Sequence, residues 1–465
     1  MKSEKLTLVL TELGSLTLFR SIVQSSCYPI AAYLAVRYNR AHVIALGAFL
    51  WAAATFFVAL SSTFFQAAVS RALNGIGLAI VAPAFQSLVA DCTDDGNRGV
   101  AFGWLQLTAN FGSAIGGLLS VLIAPITFLG IPGWRISFHI VGLISVVFGI
   151  LVRLFASDPH YSDGGRKASS LAVKFQIIVA QGVMGSFPWS ALSFAPMWLE
   201  LLGFSHEKTA ALMALFLFVI ASSLGGLFGG RMGDFLSRRL PNSGRIILSQ
   251  ISSASAIPLA AILLLVLPND PSKVALFGLG LFILGFCISW NAPATNNPIF
   301  AEIVPEKSRA SVYALGRSLE SILSSFAPPV VGYNNPLHKG SSEPEEIATD
   351  RGNAASLAKA LYTAVGLPMA LCCLIYSFLY STYPRDRERA RMEALIESEM
   401  QEILTNQLPE GGEYSQSQLS KTEESYIRDR SVIEVEYESD DDHDTEENDE
   451  NAFLYRQLKF SNLGE

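Results

Sequence analysis

Charge is what this sequence has least of: Asp, Glu, Lys and Arg make up 16% of its 465 residues. The formal net charge of −8 looks acidic, but much of the excess sits in one run from Glu434 to Glu450 and says little about the rest. Without a basic surplus, no nucleic-acid partner is expected. Cysteine is scarce as well. Cys27, Cys92, Cys287, Cys372 and Cys373 fall mostly inside apolar stretches, with no paired loop spacing and no histidine in metal-ligand spacing. That argues against a disulfide framework and against a zinc site. No G-x-x-x-x-G-K-[ST] phosphate loop is present, nor any H-E-x-x-H, G-x-S-x-G or Cys-x-x-Cys motif. An enzyme or an ATP-driven machine has no residues to stand on, and no cofactor is implied. The apolar run after Lys2 and Lys5, Leu6 to Leu10, is interrupted by Thr7 and followed by Glu12, which is too short for a signal-peptide core.

What fills the sequence is apolar. Half of the residues are hydrophobic, mean hydropathy is +0.36, and there are 29 Phe and 36 Gly. A bilayer asks for spans of roughly 20 apolar residues and tolerates more Gly and Pro than water does. Eleven stretches reach that length: Gly14 to Val36, Val43 to Leu60, Phe64 to Val89, Val100 to Ala124, Phe138 to Phe155, Ile177 to Leu199, Ala210 to Gly229, Ile246 to Leu267, Val274 to Ile299, Ser311 to Tyr333 and Leu357 to Leu379. Basic residues collect in alternate loops, at Arg37 and Arg40, Arg98, Arg153 with Arg166, Lys167 and Lys174, Arg238, Arg239 and Arg245, Lys307 and Arg309, and Arg385 to Arg391. The other loops hold little beyond Arg135, Lys208, Lys273, Lys339, Arg351 and Lys359. The first side, with the C-terminal tail, is therefore expected in the cytoplasm, and an odd number of spans puts Met1 outside.

A polar segment with Asp158, Pro159, Asp163, Gly164 and Gly165 divides the stretches into five and six. The expected organisation is an all-α membrane protein with a bundle over 1–156, a cytoplasmic linker over 157–173, a second bundle over 174–382 and a mostly disordered acidic tail over 383–465. The tail opens with an amphipathic stretch from Met392 to Leu404, and its Tyr455 to Leu458 fits a Y-x-x-Φ sorting pattern.

The two halves repeat a phrase. Ala82-Pro83-Ala84 is followed by Ala90-Asp91 and Arg98, and Ala292-Pro293-Ala294 by Ala301-Glu302 and Arg309, with acid and base at the same spacing. A second phrase closes one span as Gly230-Arg-Met-Gly-Asp234-Phe-Leu-Ser-Arg238-Arg239 and another as Ala32-Tyr-Leu-Ala-Val36-Arg37-Tyr38-Asn39-Arg40. The first form resembles the G-x-x-x-D-x-x-x-R-R loop of the major facilitator superfamily. The second is similar to the Y-L-G-D-R-Y-N-R loop of its Spinster branch, plant-type members included, with Val36 in place of the family aspartate. The resemblance covers about Gly14 to Tyr383 and implies two pseudo-repeated bundles around a cavity, here without a counterpart of the family's first helix. It further implies an amphipathic lipid-like cargo such as a lysophospholipid or a phosphorylated sphingoid base. A small polar solute or sugar moved with protons remains open, as does a non-transporting membrane scaffold or a defective short isoform.

Alternating bundles are gated by contacts at their ends. Asp234 is placed to accept hydrogen bonds from the helix starting near Gly99, helped by the helix dipole. Arg37 or Arg40 with Asp91, and Arg238 or Arg239 with Glu302, complete the expected charge networks. Val36 cannot accept hydrogen bonds, so one lock of two is expected. Inside the spans charge is costly and marks a cavity or a partner. Arg317 and Glu320 share a helical face beside Ser318, Ser321, Ser324 and Ser325. Arg20 and Arg317 suit a phosphate, and Arg20, Gln24, Gln106, Asn110, Trp290, Asn291, Arg317 and Glu320 are the candidate cavity residues. Gly75, Gly77, Gly112, Gly116 and Gly117 are expected to allow close helix packing, while Trp189, Trp198 and Trp290, with Phe187 and Phe194, are placed to line an apolar cavity, an interfacial aromatic belt being the alternative for Trp198.

Overall fold

A computed structural model describes residues 2–123, 126–128, 130–158, 187–202, 209–267, 273–333 and 351–406. Most of the linker, residues 177–186 of the sixth apolar stretch, the acidic run and the Tyr455 pattern lie outside the described residues. The chain divides into two units, Met1–Ala394 and Leu395–Glu465. In the second, the described residues are helical through Asn406.

Long apolar runs become helices because a backbone in hydrocarbon has to satisfy its own hydrogen bonds. Helix α1 is Lys2–Arg37, α2 Arg40–Leu60, α3 Phe64–Asp91, α4 Arg98–Ile123 and α5 Gly133–Phe155. A two-stranded turn precedes α5, pairing Thr127 with Pro132 around Gly130 at φ 77°. Then come α6 Phe187–Ala191, α7 Ala195–Leu201, α8 Thr209–Arg239, α9 Gly244–Ala261, α10 Val274–Ile288, α11 Asn297–Ile303, α12 Glu306–Tyr333 and α13 Arg351–Asn406. A π-helical turn, Ile262–Val266, extends α9, and another, Ala292–Asn296, holds Pro293 ahead of α11. Among the described residues, six segments are long and apolar enough to cross a membrane: Arg40–Leu60, Phe64–Asp91, Gly133–Phe155, Gly244–Val266, Ala275–Ile303 and Gly352–Ile396.

Two boundaries differ from the hydropathy reading. Helix α1 begins at Lys2, well before Gly14, because Lys5 and Glu12 break an apolar run but are good helix formers. Helix α13 runs on through Pro384 to Asn406, so residues 383–406 of the expected tail are helical. Asn39 caps α2, its side chain accepting from the amides of Ala41 (2.9 Å) and His42 (3.4 Å).

In the first bundle α3 packs on α1 and α2, and α2 on α5. Its core is small and alanine-rich, with Ala31, Ala35, Val43, Ile44, Ile80 and Ala84. The second bundle holds the larger core, including Trp198, Phe277, Phe300, Leu361 and Val365. Trp198 is 2% exposed and meets the Phe277 ring edge-on at 5.6 Å, so it is a core residue and not an interfacial one. The bundles meet along two seams, α4 on α8 and α1 on α12.

Helix α8 makes one seam possible by presenting glycine on two faces. A Cβ on Gly230 would lie 2.0 Å from the Gly99 carbonyl oxygen, and one on Gly103 would lie 2.9 Å from that of Gly226, so α4 and α8 cross backbone to backbone. On the other face, a Cβ on Gly225 would lie 2.2 Å from the Phe286 oxygen and one on Gly229 2.7 Å from Trp290 Cα. Gly75 and Gly77 likewise sit against the backbones of α1 and α2. Gly112, Gly116 and Gly117 do not pack closely: a Cβ there would meet nothing within 4 Å.

Gly230→Val therefore forces α4 from α8 and should cost about 1–3 kcal/mol as overpacking. Gly112→Ala should leave stability unchanged or slightly higher, since alanine is favoured by about 1 kcal/mol in a helix interior. Thermal unfolding of the purified protein in detergent checks both. Equal melting temperatures for the two variants would remove the seam from this account.

Candidate functional site

The repeated phrase folds the same way twice. Arg309 donates from Nη2 to the Ala301 oxygen (2.6 Å) and from Nε to that of Val304 (3.1 Å). Arg98 donates from Nε to the Ala90 oxygen (3.2 Å). Each arginine satisfies carbonyls left open where the preceding helix ends. The carbonyl shared by both copies belongs to the alanine before the acid.

Each acid then receives a buried arginine from the start of another helix of its own bundle. Asp91 pairs with Arg40, which is 1% exposed. Arg40 is also held by Asp158, with Nε donating at 2.8 Å and its backbone amide at 3.2 Å. In the other half Glu302 pairs with Arg245 (3.1 Å), which is 2% exposed and also donates to the Ala294 oxygen and to Asp234 Oδ1, both at 3.0 Å. Glu302 further accepts from the Tyr383 hydroxyl, with Arg387 at 3.9 Å.

Arg245 thus holds the place expected for Arg238 or Arg239. Arg238 instead donates to the Gly96 oxygen (2.7 Å) and to Asn97 Oδ1 (3.3 Å), while Arg239 lies over the Phe235 ring at 5.2 Å. Arg37 is exposed. The reason is loop length: residues 240–243 separate α8 from α9, whereas Tyr38 and Asn39 alone separate α1 from α2. Counting from the basic pair therefore misses the equivalent of Arg40. Its signal is position, an arginine in the first turn of the next helix.

Both seams are tied at this basic end. Asp234, 3% exposed, accepts from the backbone amides of Gly99 (2.9 Å) and Val100 (2.8 Å), where the α4 dipole favours a carboxylate. On the other seam Arg309 of α12 pairs with Asp91 of α3. The expectation of a single lock is corrected here, because the bundle that has Val36 supplies its charge from Asp91 instead.

Deeper between the bundles lies a polar cluster. Arg317 donates to Glu320 (2.9 Å) on its own helix and to Gln86 Oε1 (3.1 Å) on α3. Gln86 reaches Asn297 at 3.4 Å, and the Tyr313 hydroxyl donates to the Asn297 oxygen at 2.8 Å. From α1, Gln24 donates to the Tyr28 hydroxyl (2.8 Å), and Ser25 to Ser321 (2.8 Å). Tyr28 lies within electrostatic reach of Arg317, Glu320 and Arg20. Among the described residues, the buried Nε of Arg20 has no hydrogen-bond partner. Tyr28, Gln86 and Asn297 join this cluster and were not among the candidate cavity residues.

The remaining candidates are scattered. Gln106 reaches the Ser222 and Ser289 oxygens at 3.5 Å along the α4 and α8 seam, and Asn110 is half-buried one turn further on. Trp290 packs on Phe228 and Phe286, and Asn291 donates to Ser253 (3.3 Å) inside the second bundle. Arg71 lines a cavity of about 80 Å³ within the first bundle, together with Thr55, Asn74, Ser120 and Ser137.

Arg245→Leu should destabilise the protein by about 3–5 kcal/mol, because it leaves the buried Asp234 without its cation and Glu302 with only the more distant Arg387. Arg238→Ala, on an exposed contact, should cost under about 1 kcal/mol. Thermal melts of both variants check this; similar small losses would mean that Arg245 is not the hub of its half.

Residues 3–328 match the family model described as Major Facilitator Superfamily. The fosmidomycin resistance protein of Escherichia coli (strain K12) is 23% identical over 250 residues, covering 52% of this chain and 61% of that protein. The protein spinster of Drosophila melanogaster is 24% identical over 286 residues, covering 57% of this chain and 46% of that one. The chain thus spans less than two thirds of the length of either relative. The proton:xylose symporter XylE bound to 6-bromo-6-deoxy-D-glucose shares the fold with a TM-score of 0.58 at 17% identity, covering 79% of this chain and 86% of that chain. With the family model spanning most of its helices, the chain belongs to the Major Facilitator Superfamily, as a multi-pass integral membrane protein resembling Spinster-type members.

Proposed function

We propose that this chain carries a solute across a membrane by alternating access, with the basic end toward the cytoplasm and closed in this conformation. The observation that supports it best is the polar cluster of Arg317, Glu320, Gln86 and Tyr28 between the bundles, lying behind the charged seam of Asp91, Arg309 and Asp234. Such groups are costly inside a membrane and recur where a path or cargo site needs them. In this reading 1–156 and 174–382 are the moving bundles, 157–173 links them, and 383–465 is a cytoplasmic tail.

The cargo we propose is amphipathic and lipid-like, a lysophospholipid or a phosphorylated sphingoid base. Arg317 and Arg20 supply guanidinium groups for a phosphate, and the aromatic group of Trp290, Phe228 and Phe286 supplies an apolar wall for the chain. Uptake into proteoliposomes at imposed pH gradients tests this, with a lysophospholipid and a sugar as the two probes. Lysophospholipid flux that falls at least tenfold in Arg317→Gln is expected. Sugar flux without lipid flux would replace the cargo, and flux of neither would favour a non-transporting scaffold.

The gate makes a separate prediction. A charge-assisted contact is worth roughly 1.5–3 kcal/mol, and alternating states differ by only a few kcal/mol. Asp234→Asn should therefore shift the population toward a form open at the basic end. Ala310 lies in the α1 and α12 seam at 4% exposure. A cysteine placed there, with Cys92 replaced, should react about tenfold or more faster with a hydrophilic maleimide in the Asp234→Asn background. An unchanged rate would leave Asp234 a local helix cap without a gating role.

A further inference from the structure

Arg71 has no hydrogen bond or ion pair to either charged cluster described above. It lies seven residues into α3 (71 − 64), about 10 Å along the helix at about 1.5 Å per residue. A guanidinium at that depth costs free energy unless it meets an opposite charge or water. Its side chain turns inward. Arg71 Cζ lies 5.9 Å from the centroid of the Phe138 ring on α5, and the side chain lines the cavity of about 80 Å³ enclosed by residues of α2, α3, α4 and α5.

Nothing described in the first bundle neutralises it. Among the described residues Arg71 makes no hydrogen bond and no ion pair, and the charge within its electrostatic reach is a second cation, Arg20 of α1. The acids among the described side chains of this bundle, Asp91, Asp94, Asp95 and Asp158, all belong to the basic end. Asp91 is 20 residues from Arg71 on the same helix (91 − 71), about 30 Å away along its axis. The polar groups lining the cavity are bonded elsewhere. Asn74 Nδ2 donates to the Trp51 oxygen and to Thr55 Oγ1, both at 3.1 Å, Thr55 donates to the Trp51 oxygen (2.7 Å), and Ser137 to the Gly133 oxygen (3.1 Å). A guanidinium carries five N–H donors, so Arg71 is the main source of donors left facing this space.

We propose that the cavity holds a small inorganic anion of the chloride class beside Arg71, as a resident counter-ion of the first bundle. One negative charge balances Arg71 and reduces its repulsion with Arg20. A water molecule needs about 10–15 Å³ of such space, so there is room for a small ion with a few waters. The walls select its type. An oxyanion such as phosphate needs donors on several oxygens, and here one guanidinium stands among Trp51, Phe138 and Val141. A halide needs fewer donors and gives up less hydration. Because residues of α2 to α5 enclose it, the ion also ties α3 to α5. The site lies inside one bundle, so it goes beyond the cargo reading and neither depends on the other.

Thermal unfolding of the purified protein tests it, with chloride replacing gluconate at constant ionic strength. Between about 1 and about 100 mM chloride the melting temperature of the wild type should rise by about 3 °C or more. Bromide should act alike. Arg71→Gln should lose most of the rise, whereas Arg153→Gln, exposed at the basic end, should keep it. No rise in the wild type, an equal rise in Arg71→Gln, or phosphate acting at lower concentration than chloride overturns the proposal. Where Arg71→Gln fails to fold, wild-type crystals grown in bromide decide. An anomalous peak in contact with the Arg71 guanidinium supports the site, and its absence there overturns it.

Discussion

Asp91 accepts two guanidinium groups, Arg40 from its own bundle and Arg309 from the other, and the packing of the basic end depends on that sharing. A guanidinium removed from water at the end of a helix has to be matched by a carboxylate and by carbonyl oxygens. Arg40, Arg245 and Arg309 all meet that demand with partners from more than one segment of the chain. The same contacts that neutralise each arginine also fix how the helices meet. Separating the bundles at this end leaves Asp91 with one cation, Arg309 with only the more distant Glu306 (3.6 Å), and Asp234 without the α4 amides. In the alternating-access reading proposed above, those groups would regain water when the end opens, which would keep the difference between the two states small.

Glycine sets the distance at which this network works. Because Gly99 and Gly230 bring α4 and α8 into backbone contact, the Asp234 carboxylate reaches two amides of α4 directly. A larger side chain at either position would push the carboxylate beyond hydrogen-bond range. The second glycine face of α8 holds it against Phe286 and Trp290, so α8 belongs firmly to the second bundle while touching the first.

The parts of this arrangement that were legible in the sequence are those carried by local spacing or by hydropathy. Acid and base of the repeated phrase lie on either side of one short loop, and the phrase recurs in both halves, so Asp91, Arg98, Glu302 and Arg309 stood out. The partners that complete the network are distant along the chain. Asp158 lies 118 residues from Arg40 and Tyr383 lies 81 from Glu302, and no local pattern marks either. Arg245 was hidden because the α8 to α9 loop is longer than its counterpart, which moves the matching arginine out of register. Glycine stripes were misjudged for a related reason. Composition shows that Gly112, Gly116 and Gly117 permit close approach, but only the packed fold shows that Gly99 and Gly103 are the positions used. Arg317 and Glu320 were visible as charges in an apolar run, whereas their link through Gln86 to the other bundle needed the fold.

The central physical claim is that the shared Asp91 carboxylate holds the two bundles together at the basic end. Its most direct test is a distance. Asp94 and Asn242 are exposed, in the α3 to α4 loop of one bundle and the α8 to α9 loop of the other. Spin labels at these two positions, with the native cysteines replaced, report the separation of the bundle ends by double electron–electron resonance. The account predicts one narrow, short distance in the parent protein and a broader distribution reaching longer distances in Asp91→Asn. The same narrow distribution in both proteins would contradict it.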